Sequence, residues 1–251
     1  MNRILLFIFL FFFLLRVGAQ QISGNAFYSV FKSTDSTNNA PDELWMLSAY
    51  PFVPKVASMM EFKLEFTTTN SLFTRVKNKE LEKLSKEDVK TTEMLIGYRD
   101  SSWQDTAYYY NFDRDLGKDP MNRKGLMLKT RNNFAWKIGT ETKVIGEFTC
   151  YKATGNRVIN FRKDGKEQTR TTPVIAWFCP EIPVPFGPIF ARDLPGLIFE
   201  FQFGGTVYGL KRLDLVPKAE IASLPNKEII TKEEWNERLY KKAKELNIPH
   251  Q

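Results

Sequence analysis

The chain has 251 residues, with 36 lysines and arginines against 29 aspartates and glutamates and a single histidine. The basic excess is small and dispersed among acids rather than gathered into a stripe, which argues against nucleic acid as a partner. The one histidine, His250, is the penultimate residue, so a Ser-His-Asp triad, a Cys-His pair, an HExxH zinc site and a histidine general base all lack an imidazole held in a folded site.

At the N-terminus Arg3 supplies a basic n-region, Ile4 to Leu15 is an uninterrupted apolar run, and Val17-Gly18-Ala19 offers small residues for cleavage. This is the pattern of a secretory signal peptide, residues 1–19. The apolar run falls short of the roughly 20 residues a spanning helix needs. No cysteine follows the cleavage point, so lipid anchoring there has no attachment residue. Residues 20–251 are then expected to form one β-rich domain in the periplasm, or alternatively outside the cell or on its surface, with no transmembrane span after cleavage.

Along that region the dominant period is two. Met60, Phe62, Leu64 and Phe66 alternate with Glu61, Lys63 and Glu65, which places one face in a core and the other in water. Ala26–Phe31, Leu72–Val76, Tyr108–Phe112, Phe134–Ile138, Val144–Ala153, Val158–Arg162 and Val174–Phe178 are further predicted strands. Leu197, Phe199, Phe201 and Phe203 are expected to share one face, with Gly204-Gly205 turning the chain into a strand at Val207–Leu215. Ser33–Asp42 reads as a loop, and Asn78–Asp88 as a short charged helix. Thr231-Lys232-Glu233-Glu234 has the form of a capping box, followed by Trp235, Leu239, Ala243 and Leu246 at helical spacing, so a helix is predicted over Lys232–Leu246. The expected fold is mainly β: a single curved antiparallel sheet, half-barrel-like, with a C-terminal α-helix.

The most distinctive stretch is Pro173–Phe203, which contains six of the 13 prolines within an aliphatic and aromatic run. Pro180, Pro183, Pro185 and Pro188 each lack an N–H and fix φ near −65°, which excludes helix and favours an extended, edge-type path. Leu194-Pro195-Gly196-Leu197 has proline and glycine in the order a type II turn requires. Trp177, Glu181, Ile182, Val184 and Phe186 are the candidate partner or ligand surface on this path. Pro188, Leu194, Pro195 and Gly196 form its structural motif.

Ala176-Trp177-Phe178-Cys179-Pro180-Glu181-Ile182-Pro183, Gly187-Pro188 and Leu194-Pro195-Gly196-Leu197-Ile198 resemble the GLPGLI family of Bacteroidetes envelope proteins. So does an upstream block with Trp136-Lys137-Ile138, Glu141-Thr142-Lys143, Ile145-Gly146 and Cys150-Tyr151-Lys152-Ala153-Thr154. The resemblance runs from about Trp136 to Phe203. Asp193 replaces the first glycine of the name motif and Glu147 a glycine after Gly146; the turn at Pro195-Gly196 is expected to survive, since Gly196 remains to take positive φ. The resemblance implies an exported, mostly β protein, often encoded near outer-membrane receptors, with no catalytic residues to carry over.

The chain has no GxxxxGK[ST] loop, and no strand followed by GxGxxG and a helix, and no cofactor or metal is expected. Asp113-Arg114-Asp115 reads as a solvated turn rather than a calcium loop. Cys150 and Cys179 are the only cysteines; an oxidising compartment permits a disulfide between them if their strands are neighbours. Three functions follow in order. The first is a non-enzymatic binding or accessory module for an outer-membrane receptor or other envelope protein. The second is a carrier holding a lipid on the apolar sheet face, and the third a hydrolase using Glu181 with Asp193 or Glu200.

Overall fold

The computed structural model describes residues 22–35, 41–98, 107–111, 116–118, 127–129, 134–163, 166–216, 221, 229–231, 234, 237, 238, 241 and 245. The expected signal peptide, residues 1–19, His250 and Asp113-Arg114-Asp115 lie outside them.

The protein is mostly β. The strands are β1 (Gly24–Lys32), β2 (Glu61–Phe66), β3 (Asn70–Arg75), β4 (Ala107–Asn111), β5 (Leu116–Lys118), β6 (Met127–Lys129), β7 (Lys137–Ile145), β8 (Phe148–Lys163), β9 (Lys166–Cys179), β10 (Leu197–Phe203), β11 (Thr206–Leu215) and β12 (Ile229–Thr231). They form one open sheet in the order β12-β6-β5-β4-β3-β2-β1-β11-β10-β9-β8-β7. Eight of them, β3 through β7 in that order, make a continuous antiparallel run ending at the β7 edge, and among the described strands only β12, on β6, runs parallel. The sheet is two meanders, β1–β6 and β7–β11, joined where β1 pairs with β11 from Gly24↔Leu215 to Lys32↔Thr206. That seam brings together residues from distant parts of the chain.

The predicted alternation holds where it was clearest. Phe62, Leu64 and Phe66 on β2 face the core beside Ala26 and Tyr28 of β1, all at 0% exposure, each large side chain stabilising by about 1.5–3 kcal/mol. Their neighbours Glu61, Lys63 and Glu65 lie outward, Glu61 paired to Lys211 at 2.6 Å. Three core tyrosines find polar partners, as buried hydroxyls must. Tyr28 donates to the Ile198 carbonyl (2.8 Å) and Tyr208 to that of Ile96 (3.1 Å), while the Tyr98 hydroxyl accepts from the Arg75 N–H (3.0 Å).

Elsewhere the structure corrects the expectation. Val144–Ala153 is two strands, because Gly146 takes φ 62° at the first position of a two-residue hairpin loop, the type II′ arrangement whose twist suits antiparallel strands. Gly204, at φ 51°, does the same between β10 and β11. The alternation in β10 is broken by a bulge: Ile198 pairs with Phe178 and Glu200 with Trp177, leaving Phe199 as the extra residue. Ile198 and Phe199 are therefore both buried, and Phe203 is only half-buried.

The helices differ most. Asn78–Asp88 is not one helix but two, α3 (Lys79–Glu82) and α4 (Lys86–Leu95). The Ser85 hydroxyl accepts from the N–H groups of Glu87 and Asp88, a cap that starts a new helix instead of continuing the old. Two helices were not anticipated: α1 (Pro41–Ala49), which includes the end of the expected loop, and α2 (Val53–Ser58). α2 packs on β1 and against α4, and Glu93 of α4 holds Arg75 of β3 at 2.6 Å. Lys32, buried at the end of β1, contacts Glu43 of α1 and Thr206 of β11. Of the predicted C-terminal helix, Glu234, Glu237, Arg238, Lys241 and Glu245 are helical and exposed; Trp235 and the rest of Lys232–Leu246 lie outside the described residues. No helix among the described residues is long and apolar enough to cross a membrane.

Candidate functional site

Residues 180–196 leave β9, fold over the sheet and return into β10. Two prolines act as the centres of three-residue turns: the Val184 N–H donates to the Ile182 carbonyl across Pro183 (2.7 Å), and the Gly196 N–H to that of Leu194 across Pro195 (2.8 Å). The φ that proline imposes is close to that of an inverse γ-turn. The return path is pinned by Leu197 N–H to Ile182 C=O and Ile198 N–H to Phe186 C=O, at 2.8 and 2.9 Å.

The expected type II turn is thus replaced. Gly196 does not take positive φ. It is required because a Cβ there would meet the Cys179 carbonyl oxygen at 2.2 Å. The left-handed residue is Asp193, φ 70°, the position where the GLPGLI motif has its first glycine. Aspartate tolerates that region better than most residues, and its N–H donates to Pro185 C=O. Ile189, φ 53°, is β-branched in the same region, a strain of about 1–3 kcal/mol held by the surrounding packing.

The suggested partner surface divides. Ile182 (4%), Val184 (0%) and Phe186 (1%) are core residues, as are Pro188, Leu194 and Gly196. The turns aim these side chains at the sheet, so the proline path is an inward-facing lobe rather than an exposed edge. Glu181 is exposed on the turn that the Ile182 N–H closes onto Cys179 C=O, instead of sitting in an apolar pocket. Of its two possible partners, Glu200 is bonded to Lys143 at 2.8 Å and Asp193 lies 3.5 Å from the Arg192 Nε.

Trp177 is half-buried on the outer face of the sheet. The Lys143 and Lys152 ammonium groups lie 4.4 and 5.9 Å from its ring centroid, within or at the edge of cation–π range. Each is paired in turn, Lys143 with Glu200 and Lys152 with Glu141 (3.0 Å). The resulting ladder, Glu141-Lys152-Trp177-Lys143-Glu200, spans β7, β8, β9 and β10. Sequence reading singled out Trp177 but not its lysines: Lys152 and Glu200 are its cross-strand neighbours, and Lys143, opposite Cys150 on β7, reaches it across β8.

Cys150 and Cys179 lie beside this ladder, both thiols and both at 0% exposure. Burial, with Cys179 second, pushes the Cys150 thiol up to about 12 against the pull of Lys143. Burial raises Cys179 too, opposed by the neighbouring backbone N–H groups of Glu181 and Ile182.

Toward the core, rings follow one another without a break. Phe134 meets Phe190 (6.1 Å), then Phe201 (5.5 Å), Phe203 (5.6 Å), Tyr208 (6.5 Å), Phe62 (5.4 Å) and Phe73 (5.3 Å). Trp136 joins this end of the core to the proline lobe by donating its indole N–H to Arg192 C=O at 2.8 Å. The core cover stops short of β7. There Ile138 and Val144 are 54% and 70% exposed, and Tyr151 of β8 is 38% exposed. By register with Ala153, Thr149 and Phe178 these three belong to the core-facing side of the sheet, and among the described strands β7 is its edge.

A comparison with curated proteins gives no match. Two crystal structures of PNGF-II, in space groups C2 and P21, share 14% and 12% identity with the chain, each with a TM-score of 0.46 over 88% of it. The chain spans 33% of the length of each of those structures. Over residues 136–200, the segment carrying Trp136, the Trp177 ladder, both cysteines and the proline lobe, the chain matches the family described as "Protein of unknown function (Porph_ging)".

Proposed function

We propose that this is an exported, non-enzymatic accessory module of the cell envelope, periplasmic or at the cell surface, that binds another envelope protein along the β7 margin of its sheet. The observation that carries the reading is the exposed apolar strip of Ile138, Val144 and Tyr151 beside β7, the edge of the sheet among the described strands. An extended apolar segment of a partner satisfies both the open main-chain groups and the apolar side chains of such an edge. The GLPGLI resemblance supports export and an outer-membrane receptor as that partner.

The lipid-carrier reading is weaker, because the core side of the sheet is occupied by the chain's own rings from Phe134 to Phe73. A hydrolase built on Glu181 is weaker still, since that carboxylate is exposed.

The test is gentle isolation of the chain from its native envelope after cross-linking, beside the double variant Ile138→Glu, Val144→Glu. One receptor recovered in stoichiometric amount with the unaltered chain and lost with the variant is the expected result. Equal recovery with both removes the β7 margin as the surface. A bound lipid mass in native mass spectrometry of the unaltered chain would move the reading to a carrier.

A further inference from the structure

β8 and β9 are antiparallel neighbours, with Tyr151 opposite Phe178. Continuing that register by one residue sets Cys150 against Cys179 at the root of the proline lobe. Residues directly opposed in an antiparallel ladder have Cα atoms about 4.5–5.5 Å apart, inside the roughly 4.4–6.8 Å span of disulfides. Side chains of opposed residues also leave the sheet on the same face, and both sulfurs are fully buried there.

We infer that Cys150 and Cys179 are a disulfide-forming pair, and that the bond between them, once made by a disulfide oxidant, ties the stem of the proline lobe to β8. This does not depend on the proposed function. The exchange balances in two steps. The Cys179 thiolate attacks one sulfur of the oxidant, giving a mixed disulfide and one released thiol; the Cys150 thiolate then attacks the Cys179 sulfur, expelling the second. Two electrons pass to the oxidant, and the two protons of the cysteine thiols end on the released thiols.

The roles follow from the surroundings. Cys179 opens the turn closed by the Ile182 N–H on its carbonyl, and the backbone N–H groups of Glu181 and Ile182 favour its thiolate. Cys150 lies on β8 opposite Lys143, whose ammonium favours its ionisation in the second step. Because both sulfurs are buried, exchange in the folded chain proceeds through local opening.

The experiment is a redox titration of the full mature chain. It is equilibrated with mixtures of reduced and oxidised glutathione in buffer and in denaturing urea, quenched with acid, alkylated and mapped by mass spectrometry. Folding should favour the bond, so the equilibrium constant for joining the two cysteines should be at least about tenfold higher in buffer than in urea, with one species lighter by two hydrogens. Cys150→Ala should leave only a glutathione adduct at Cys179. An equal or lower constant in the folded chain, or adducts at both cysteines in place of the internal bond, overturns the inference. The ratio measured on the unaltered chain decides the matter if the variant does not fold.

Discussion

The proline lobe and the β7 margin lie in the same family-matched block and have opposite fates. The lobe is conspicuous in sequence, with prolines and large apolar residues interleaved, and the structure turns it inward until Val184 and Phe186 are core. The margin, Lys137–Ile145, is an unremarkable mixture of polar and β-branched residues, mostly exposed and at the edge of the described sheet. A strong sequence signature therefore marks what the fold needs, while the surface available to a partner is set by where the cover of the sheet ends.

That contrast can be broken or sharpened by substitution. The largest effect is expected at Phe186→Ala, which empties a site 1% exposed and should cost about 3–5 kcal/mol in denaturant unfolding. A loss under about 1 kcal/mol would mean that the lobe is not part of the core. Gly196→Ala forces a Cβ onto the Cys179 carbonyl and should cost about 1–3 kcal/mol. Alanine accepted without loss would show that the lobe and β9 do not approach so closely.

Alkaline pH gives a third test. The Cys150 thiol is raised from 9.0 to about 12, so between those values the folded chain keeps a proton that the unfolded chain releases. Its contribution to stability is complete below pH 9 and declines as pH rises toward 12. At pH 10 the loss is about 1 kcal/mol for the reduced chain, and the oxidised chain should lack this slope. The same slope in both redox forms would assign it to another group.

Smaller effects separate lobe from margin. Asp193→Gly relieves a φ of 70° and should stabilise by up to about 1 kcal/mol; a clear loss would show that the aspartate side chain matters more than its backbone. Val144→Thr, on the margin, should change stability by less than about 0.5 kcal/mol. A larger loss there would mean that the strip is covered within the chain.

How far the sequence was legible depends on whether the signal was local. Alternation in Met60–Phe66 identified a half-buried strand because one face is core and one is water, a rule that needs no knowledge of the partner strand. Pro41-Asp42-Glu43, a proline with acids at a helix start, was a local signal for α1 that the flanking loop composition obscured. Ser85 similarly marked the start of α4. The bulge in β10 and the positive φ of Ile189 and Asp193 in the lobe had no such local mark, since Gly196 looked the better candidate.

By itself the amino-acid sequence determined a mainly β chain with one open antiparallel sheet, because alternation, proline and glycine act through the backbone of a few adjacent residues. Tertiary structure alone decided that β1 closes on β11, that Lys143 and Lys152 flank Trp177, that Cys150 faces Cys179 and that the proline lobe points inward. Those relations depend on strand register and on which faces find cover, and register is settled by the packing of whole strands against partners far away in the chain.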